Sequence, residues 1–303
     1  MTNDRVYVAL ARCIWDSCGS ERKLYALDFR GVDLDFPRGA VLKYNEPWLS
    51  YVALGDSYSS GEGVEPFIAP SDTNGCHRSR DAYAKLLDGS PASRLNVTSF
   101  VACSGATTQD VINGKNGEPS QLNALATNQA RRVTISAGGN DIDFVGVATA
   151  CVTGNCGDGE SAEAIRKIRE ELPSKLDTLY AEIRARVTAT NARILVVGYP
   201  LLIPEVVDQN LPNCFYLQDD KDAARSVILE LDAAIQAAVS RAGSPFEYVD
   251  PNAPGSPFIG HELCKSGSYF HGLVWPFNQG YTFHPNAAGQ QAYRQLIETR
   301  LAS

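Results

Sequence analysis

The segment Tyr51-Val-Ala-Leu-Gly-Asp-Ser57-Tyr-Ser-Ser-Gly-Glu-Gly63 changes character at its centre. It begins as a short apolar run, which is typical of a buried parallel strand, and then continues in small, polar, turn-forming residues. In an open α/β sheet the chemistry takes place just beyond the carboxyl ends of the strands, and Ser57 falls at such a place. A serine hydroxyl becomes an effective nucleophile only when a base takes its proton. Ser57 is therefore a candidate nucleophile that requires a base and oxyanion donors elsewhere in the chain.

Short apolar runs and helical periodicities alternate along the chain after this segment. We predict further strands at 96–101, 132–136, 193–197 and 246–250, and helices at 81–87, 120–129, 165–187, 219–242 and 285–301. Pro173 is expected to kink or split the long helix at 165–187. Such alternation is typical of a parallel sheet with helices on both faces, whose carboxyl-end loops gather the functional residues.

Composition and charge exclude several classes of protein. The chain has 303 residues, of which 44% are hydrophobic and 20% charged, and this suffices for one large globular domain with an appendage. Its 27 Lys and Arg against 35 Asp and Glu give a net charge of −8, which offers no broad basic surface for nucleic acid. No apolar run approaches the roughly 18 residues of a membrane-spanning helix. We therefore expect neither a nucleic-acid partner nor a transmembrane segment.

The cysteines form an even set: Cys13, Cys18, Cys76, Cys103, Cys151, Cys156, Cys214 and Cys264. An even set favours disulfides, and pairing neighbours along the chain is the simplest of many schemes. Two alternatives are structural zinc at the two C-x4-C pairs and reduced core cysteines in a cytosolic protein. We favour disulfides and hence a secreted protein. Residues 1–5 lack a hydrophobic signal core, so we expect any export signal to be absent from this sequence.

Residues 1–49 differ in pattern from the remainder of the chain. They predict a β-hairpin at 5–29, with Cys13 and Cys18 at its tip, followed by an extended stretch. We interpret 1–49 as a small β-rich N-terminal extension that either covers a sheet edge or positions substrate. Residues 50–303 then form the main domain.

Three further segments contain candidate partners for Ser57. Acyl transfer from an ester needs a nucleophile, a base, and donors for the oxyanion of the tetrahedral intermediate. The expected donors are the backbone N–H groups of Ser57 and Gly105 and the side-chain amide of Asn140. His284 is the preferred base among four histidines, because a proline follows it at a helix start and holds the imidazole at a rigid junction. We interpret Asp56 as structural.

Together these motifs resemble the SGNH, or GDSL, hydrolase family. Gly55-Asp-Ser57 corresponds to the first sequence block of the family, Gly105 to the second, Gly138-Gly-Asn140 to the third and His284-Pro to the fifth. The resemblance implies a three-layer α/β/α flavodoxin-like fold with a parallel sheet. It also implies an ester substrate and neither a metal nor a cofactor.

The pattern around the cysteines is similar to secreted actinobacterial esterases, lipases and phospholipases of this family. The resemblance covers residues 50–303, and 1–49 lie outside it. It implies three disulfides, Cys76–Cys103, Cys151–Cys156 and Cys214–Cys264, with Cys13–Cys18 as an additional pair.

One position departs from the family pattern. Many members have an aspartate three residues before the histidine, where this chain has Tyr281. In the actinobacterial branch a backbone carbonyl can orient the imidazole, so the resemblance implies that the C=O of Tyr281 or Thr282 holds His284 in a Ser–His dyad. Asp250 and Asp143 are alternative orienting groups.

These observations predict a serine esterase or lipase that hydrolyses carboxylic esters, with lipid esters among the candidates, through an acyl-enzyme at Ser57. A carbohydrate acetylesterase is one alternative, because the same constellation serves acetyl groups on sugars. A non-catalytic binding module with a vestigial site, docking on a partner through its N-terminal hairpin, is another.

Overall fold

The computed structural model describes residues 48–152, 159–206, 221–274 and 279–303. The predicted hairpin at 5–29 with Cys13 and Cys18, and the cysteines Cys156 and Cys214, lie outside these ranges.

Strands and helices alternate along the described part of the chain. The strands are β1 (Leu49–Ala53), β2 (Leu95–Phe100), β3 (Arg132–Ile135), β4 (Arg193–Val197) and β5 (Phe246–Val249). The helices are α1 (Ser57–Ser60), α2 (Ser71–Asn74), α3 (Tyr83–Leu87), α4 (Thr108–Asn113), α5 (Asn123–Asn128), α6 (Phe144–Val152), α7 (Glu160–Glu170), α8 (Leu172–Arg186), α9 (Lys221–Ala242) and α10 (Ala287–Ala302). None of these helices is long and apolar enough to cross a membrane.

The five strands form one parallel sheet in the order β2-β1-β3-β4-β5. This is the flavodoxin-like order, and it confirms the predicted α/β fold. β1 is buried from Tyr51 to Ala53 and β4 from Ile194 to Val197, which explains why both strands are continuous apolar runs. The helices pack in two groups, α4 to α9 in one and α1, α3 and α10 in the other, as expected for layers on opposite faces of a sheet.

The observed helices differ from the predicted ones in two respects, and both have a local cause in the sequence. The helix predicted at 165–187 is two helices, α7 and α8, which meet at Glu171. Pro173 falls in the first turn of α8, where its missing N–H is tolerated, so the proline splits the run as expected. The helices α1, α2 and α4 have four to six residues and were not predicted, because so few turns leave no clear apolar periodicity. Helix α6 was not predicted because its sequence is apolar at most positions, which also leaves no periodicity.

The described cysteines are all oxidised. A disulfide joins Cys76 to Cys103, and Cys151 and Cys264 are disulfide-bonded as well. The first of these bonds ties the loop after β2 to the segment before α3, and the N–H of Ser104 reinforces it by donating to the C=O of Cys76 at 3.0 Å. These four cysteines are therefore neither free thiols nor zinc ligands.

Candidate active site

Ser57 is the first residue of α1, just beyond the carboxyl end of β1. The carboxylate of Asp56 caps this helix by accepting from the N–H of Tyr58 at 3.0 Å. Gly55 has a φ of +126°, and a Cβ at that position would lie 2.7 Å from the carbonyl oxygen of Ser136. Only glycine therefore permits the sharp turn that places Ser57 at the carboxyl end of β1. The serine itself is 5% exposed.

The loops that follow β2, β1 and β3 lie side by side, because these strands are neighbours in the sheet. Gly105, with a φ of +72°, follows β2, and Asn140 follows β3 in a 3₁₀ turn. The side-chain amide of Asn140 donates to the C=O of Ala106 at 2.9 Å, which joins the two outer loops on either side of the Ser57 loop. This bond fixes the orientation of the amide and uses one of its two N–H groups.

Two backbone N–H groups, those of Ser57 and Gly105, lie in the same set of loops at the carboxyl ends of the strands. Within the described residues, neither the N–H of Ser57 nor that of Gly105 donates to a backbone acceptor. With the second N–H of the Asn140 amide, these groups are the kind of donor set that stabilises a developing oxyanion. The three predicted donors thus come from loops that the sheet order makes adjacent.

His284 lies near the C-terminus of the sequence but packs beside α1, the helix that begins with Ser57. Its ring centroid lies 5.4 Å from that of Tyr58, the residue after Ser57. The hydroxyl of Tyr58 donates to the C=O of Phe283 at 3.0 Å, so the same tyrosine holds the histidine loop. His284 is 5% exposed, and its Nε2 has no hydrogen-bond partner among the described residues, Ser57 included. The predicted base therefore lies against the helix that begins with the predicted nucleophile.

A backbone carbonyl orients the imidazole. Nδ1 of His284 lies 3.1 Å from the carbonyl oxygen of Thr282. Because a carbonyl only accepts, Nδ1 carries the proton and Nε2 is the acceptor of the neutral ring. The carbonyl of Tyr281 accepts the backbone N–H of His284 at 3.0 Å. Asp143 and Asp250, both described, make no hydrogen bond to the ring.

Burial lowers the pKa of His284 to about 4, although the hydrogen bond to Thr282 opposes the shift. The imidazole therefore remains neutral, and able to accept a proton, until the pH falls through about 4. We expect the Hε1 NMR resonance of His284, assigned by its absence in a His284→Gln variant, to titrate with a midpoint near pH 4 and to stay constant between about pH 6 and 8. A midpoint near the ordinary value of 6.5 would contradict the buried environment.

The other three histidines are engaged in structural contacts. His77 pairs with the buried carboxylate of Glu62 at 2.7 Å, and His261 stacks on Tyr269 with ring centroids 3.8 Å apart. His271 bonds through its Nε2 to the C=O of Gly63 at 2.9 Å. The structure thus leaves His284 as the histidine in direct contact with Tyr58.

A tyrosine that the motifs did not indicate also lies at the carboxyl ends of the strands. Tyr199 follows β4, is buried, and donates its hydroxyl proton to the carboxylate of Asp56. Its place two residues beyond an apolar strand is the only sequence signal for it, and a tyrosine at such a place is usually a core residue.

Comparison with known proteins identifies the family of this chain. The chain matches the GDSL-like lipase/acylhydrolase family over residues 53–292. It is 35% identical to Lipase 1 of Streptomyces coelicolor over 244 residues, which cover 79% of this chain and 82% of that protein. The crystal structure of phospholipase A1 from Streptomyces albidoflavus is 31% identical, with a TM-score of 0.69 over 83% of this chain and 98% of that one. The structure of the extracellular lipase from Streptomyces rimosus is also 31% identical, with a TM-score of 0.67 over 83% and 99% of the two chains.

A family match over residues 53–292 and a relative at 35% identity confirm the resemblance seen in the motifs. The chain belongs to the GDSL-like lipase/acylhydrolase family and is a carboxylic ester hydrolase.

Proposed function

We propose that this protein hydrolyses lipid esters through a covalent acyl-enzyme at Ser57. His284 Nε2 takes the hydroxyl proton as Ser57 Oγ attacks the ester carbonyl carbon. The N–H groups of Ser57 and Gly105 and the Asn140 amide stabilise the oxyanion of the tetrahedral intermediate. The intermediate collapses, the C–O bond to the alcohol breaks, and the leaving alkoxide receives the proton from His284. Water then gives a proton to His284 as its oxygen attacks the acyl carbon, the bond from that carbon to Ser57 Oγ breaks, and His284 returns the proton to Oγ, which releases the acid and the free serine.

The orientation of His284 carries the mechanistic part of this proposal. Its Nδ1–H is held by the Thr282 carbonyl, and the buried Nε2 lies beside the helix that begins at Ser57. A carbonyl sets the tautomer as a carboxylate does, but stabilises the imidazolium less because it has no full charge. These contacts support a Ser–His dyad oriented by a backbone carbonyl.

The substrate class rests on the relatives. Lipase 1 of Streptomyces coelicolor and the Streptomyces albidoflavus phospholipase A1 both align with about four-fifths of this chain. Acyl esters of lipids are therefore favoured over sugar acetates. The oxidised cysteines and the extracellular relative from Streptomyces rimosus further support a secreted enzyme.

An ester panel graded by acyl length tests the proposal. p-Nitrophenyl acetate, octanoate and palmitate, with phosphatidylcholine vesicles, are assayed beside intact-mass detection of a fluorophosphonate adduct. We expect turnover of the long acyl esters and one adduct, mapped to Ser57 by peptide mass spectrometry. Turnover of acetate alone would instead identify an acetylesterase. Absence of both turnover and adduct would indicate a binding module.

A further inference from the structure

A buried chain of hydrogen bonds from Asp56 through Tyr199 to Gly139 connects the loops at the carboxyl ends of the strands. Asp56 is 1% exposed, and its Oδ2 accepts the hydroxyl proton of Tyr199. The same hydroxyl oxygen accepts the backbone N–H of Gly139 at 3.1 Å. Asp56 immediately precedes Ser57, and Gly139 immediately precedes Asn140. One hydroxyl group therefore connects the residue before the proposed nucleophile to the residue before a proposed oxyanion donor.

The second carboxylate oxygen of Asp56 anchors the same two loops. Its Oδ1 accepts from the hydroxyl of Ser136 at 2.6 Å and from the N–H of Tyr58 at 3.0 Å. Ser136 directly follows β3 and so belongs to the loop that carries Gly139. The carboxylate thus holds the β3 loop at two points, directly through Ser136 and indirectly through Tyr199, while it caps the nucleophile helix.

The groups that bond to this carboxylate are all donors, so the ionised form is the one that satisfies them. Burial nevertheless raises the pKa of Asp56 to about 6, and the bonds from Ser136 and Tyr199 act against that rise. A buried ionised group is unfavourable for folding, and an apolar contact of similar volume is often at least as stable. An apolar contact, however, could not orient the hydroxyl of Tyr199. Because the Tyr199 O–H points to Asp56, the lone pairs of the same oxygen are free to accept the N–H of Gly139.

The ring of Tyr199 also packs against two neighbours, the backbone at Gly139 and the ring of Tyr58. A Cβ on Gly139 would lie 3.1 Å from Tyr199 Cζ, so the loop backbone rests closely on the ring. On the other side the ring meets that of Tyr58 edge-on, with centroids 5.1 Å apart. Tyr58 in turn contacts His284, so the ring of Tyr199 lies between Gly139 and the tyrosine that packs on the proposed base.

We propose that Tyr199, oriented by Asp56, is a positioning residue that sets the distance between Ser57 and the Asn140 amide. It touches neither substrate nor reacting atoms and acts on the transition state through the loop that it holds. Misplacing a reacting geometry by about 1 Å reduces the rate by about 100-fold, so a small displacement suffices. The proposal rests on the acyl-enzyme function proposed above.

Removal of a single oxygen, in Tyr199→Phe, tests this role. We expect kcat for p-nitrophenyl octanoate to fall by about 10- to 100-fold, with KM changed by less than about twofold. Tyr180→Phe is the matched control, because Tyr180 is equally buried and its hydroxyl has no hydrogen-bond partner among the described residues. It should keep the wild-type kcat. Thermal unfolding of each full-length variant verifies that the protein is folded.

A double-mutant cycle separates positioning from a purely structural effect. If Tyr199 acts through the β3 loop, which contains Asn140, then adding Tyr199→Phe to the Asn140→Ala protein should reduce kcat by less than about twofold. Asp56→Asn, which places an amide NH₂ where Tyr199 needs an acceptor, is a second variant and should reproduce the kcat loss. Losses that multiply independently, or wild-type kcat in both Tyr199→Phe and Asp56→Asn, would overturn the proposal. Absence of turnover in the wild-type protein would instead contradict the acyl-enzyme function, so the two failures are distinguishable.

Discussion

Replacement of Ser57 by alanine should reduce kcat for p-nitrophenyl octanoate by about 10⁴-fold or more and abolish the fluorophosphonate adduct. Without Oγ no acyl-enzyme can form, and the oxyanion donors and the bound substrate leave only a small residual acceleration. Stopped assays over long incubations, together with intact-mass spectrometry, measure both effects. The change removes one hydroxyl from a helix that Asp56 still caps, so thermal unfolding should be nearly unaffected.

Ser60→Ala is the matched control for this change. Ser60 lies in the same helix, is also buried, and donates its hydroxyl proton to the C=O of Ser57 at 3.2 Å. The Ser60→Ala protein should retain most of its activity and still form the adduct. Wild-type turnover by the Ser57→Ala protein would assign the nucleophile to another residue.

Replacement of Asn140 by alanine should lower kcat by about 10²- to 10³-fold, equivalent to about 2.7 to 4 kcal/mol of transition-state stabilisation. The amide is expected to meet the oxyanion more strongly than the ground-state carbonyl, so KM should change little. Part of the loss will come from the bond to Ala106, which joins the loops after β2 and β3. Asn140→Asp keeps the size of the side chain but places a carboxylate near the oxyanion, and it should be at least as impaired.

Steady-state kcat and KM, measured with the rate of phosphonate labelling, check this prediction. Asn113→Ala, at an exposed position at the end of α4, serves as the control and should behave as the wild type. A raised KM with an unchanged kcat in Asn140→Ala would mean that the amide binds the substrate and not the oxyanion.

Local patterns in the chain were sufficient to predict most of the sheet. The apolar run at 193–197 coincides with β4, and the predicted strand at 132–136 differs from β3 by a single residue. Runs of this kind are predictable because a strand buried on both faces is mostly apolar, as in the buried stretch from Ile194 to Val197 of β4. Helix α1 was not predicted, because its four residues, all serine or tyrosine, contain no apolar periodicity.

The candidate site was predictable to the extent that its groups lie in short contiguous motifs. Ser57, Gly105, Asn140 and His284 each follow or begin an element that the pattern indicates. The choice between the carbonyls of Tyr281 and Thr282 was not predictable. It depends on the path of the loop, in which Phe283 adopts a φ of +63° and turns the ring of His284 back toward Thr282.

The residue types and the order of elements along the chain therefore define the chemistry that is available: a serine, a histidine, an amide and flexible glycines at the ends of apolar runs. Contacts between distant residues, such as the bond from Tyr199 to Asp56 across 143 positions, arise only from the strand order. That order places β1 between β2 and β3, so the loop that contains Ser57 lies between the two loops that contain the proposed oxyanion donors. The same packing removes water from His284 and so lowers its pKa, because desolvation depends on neighbours that no local motif contains.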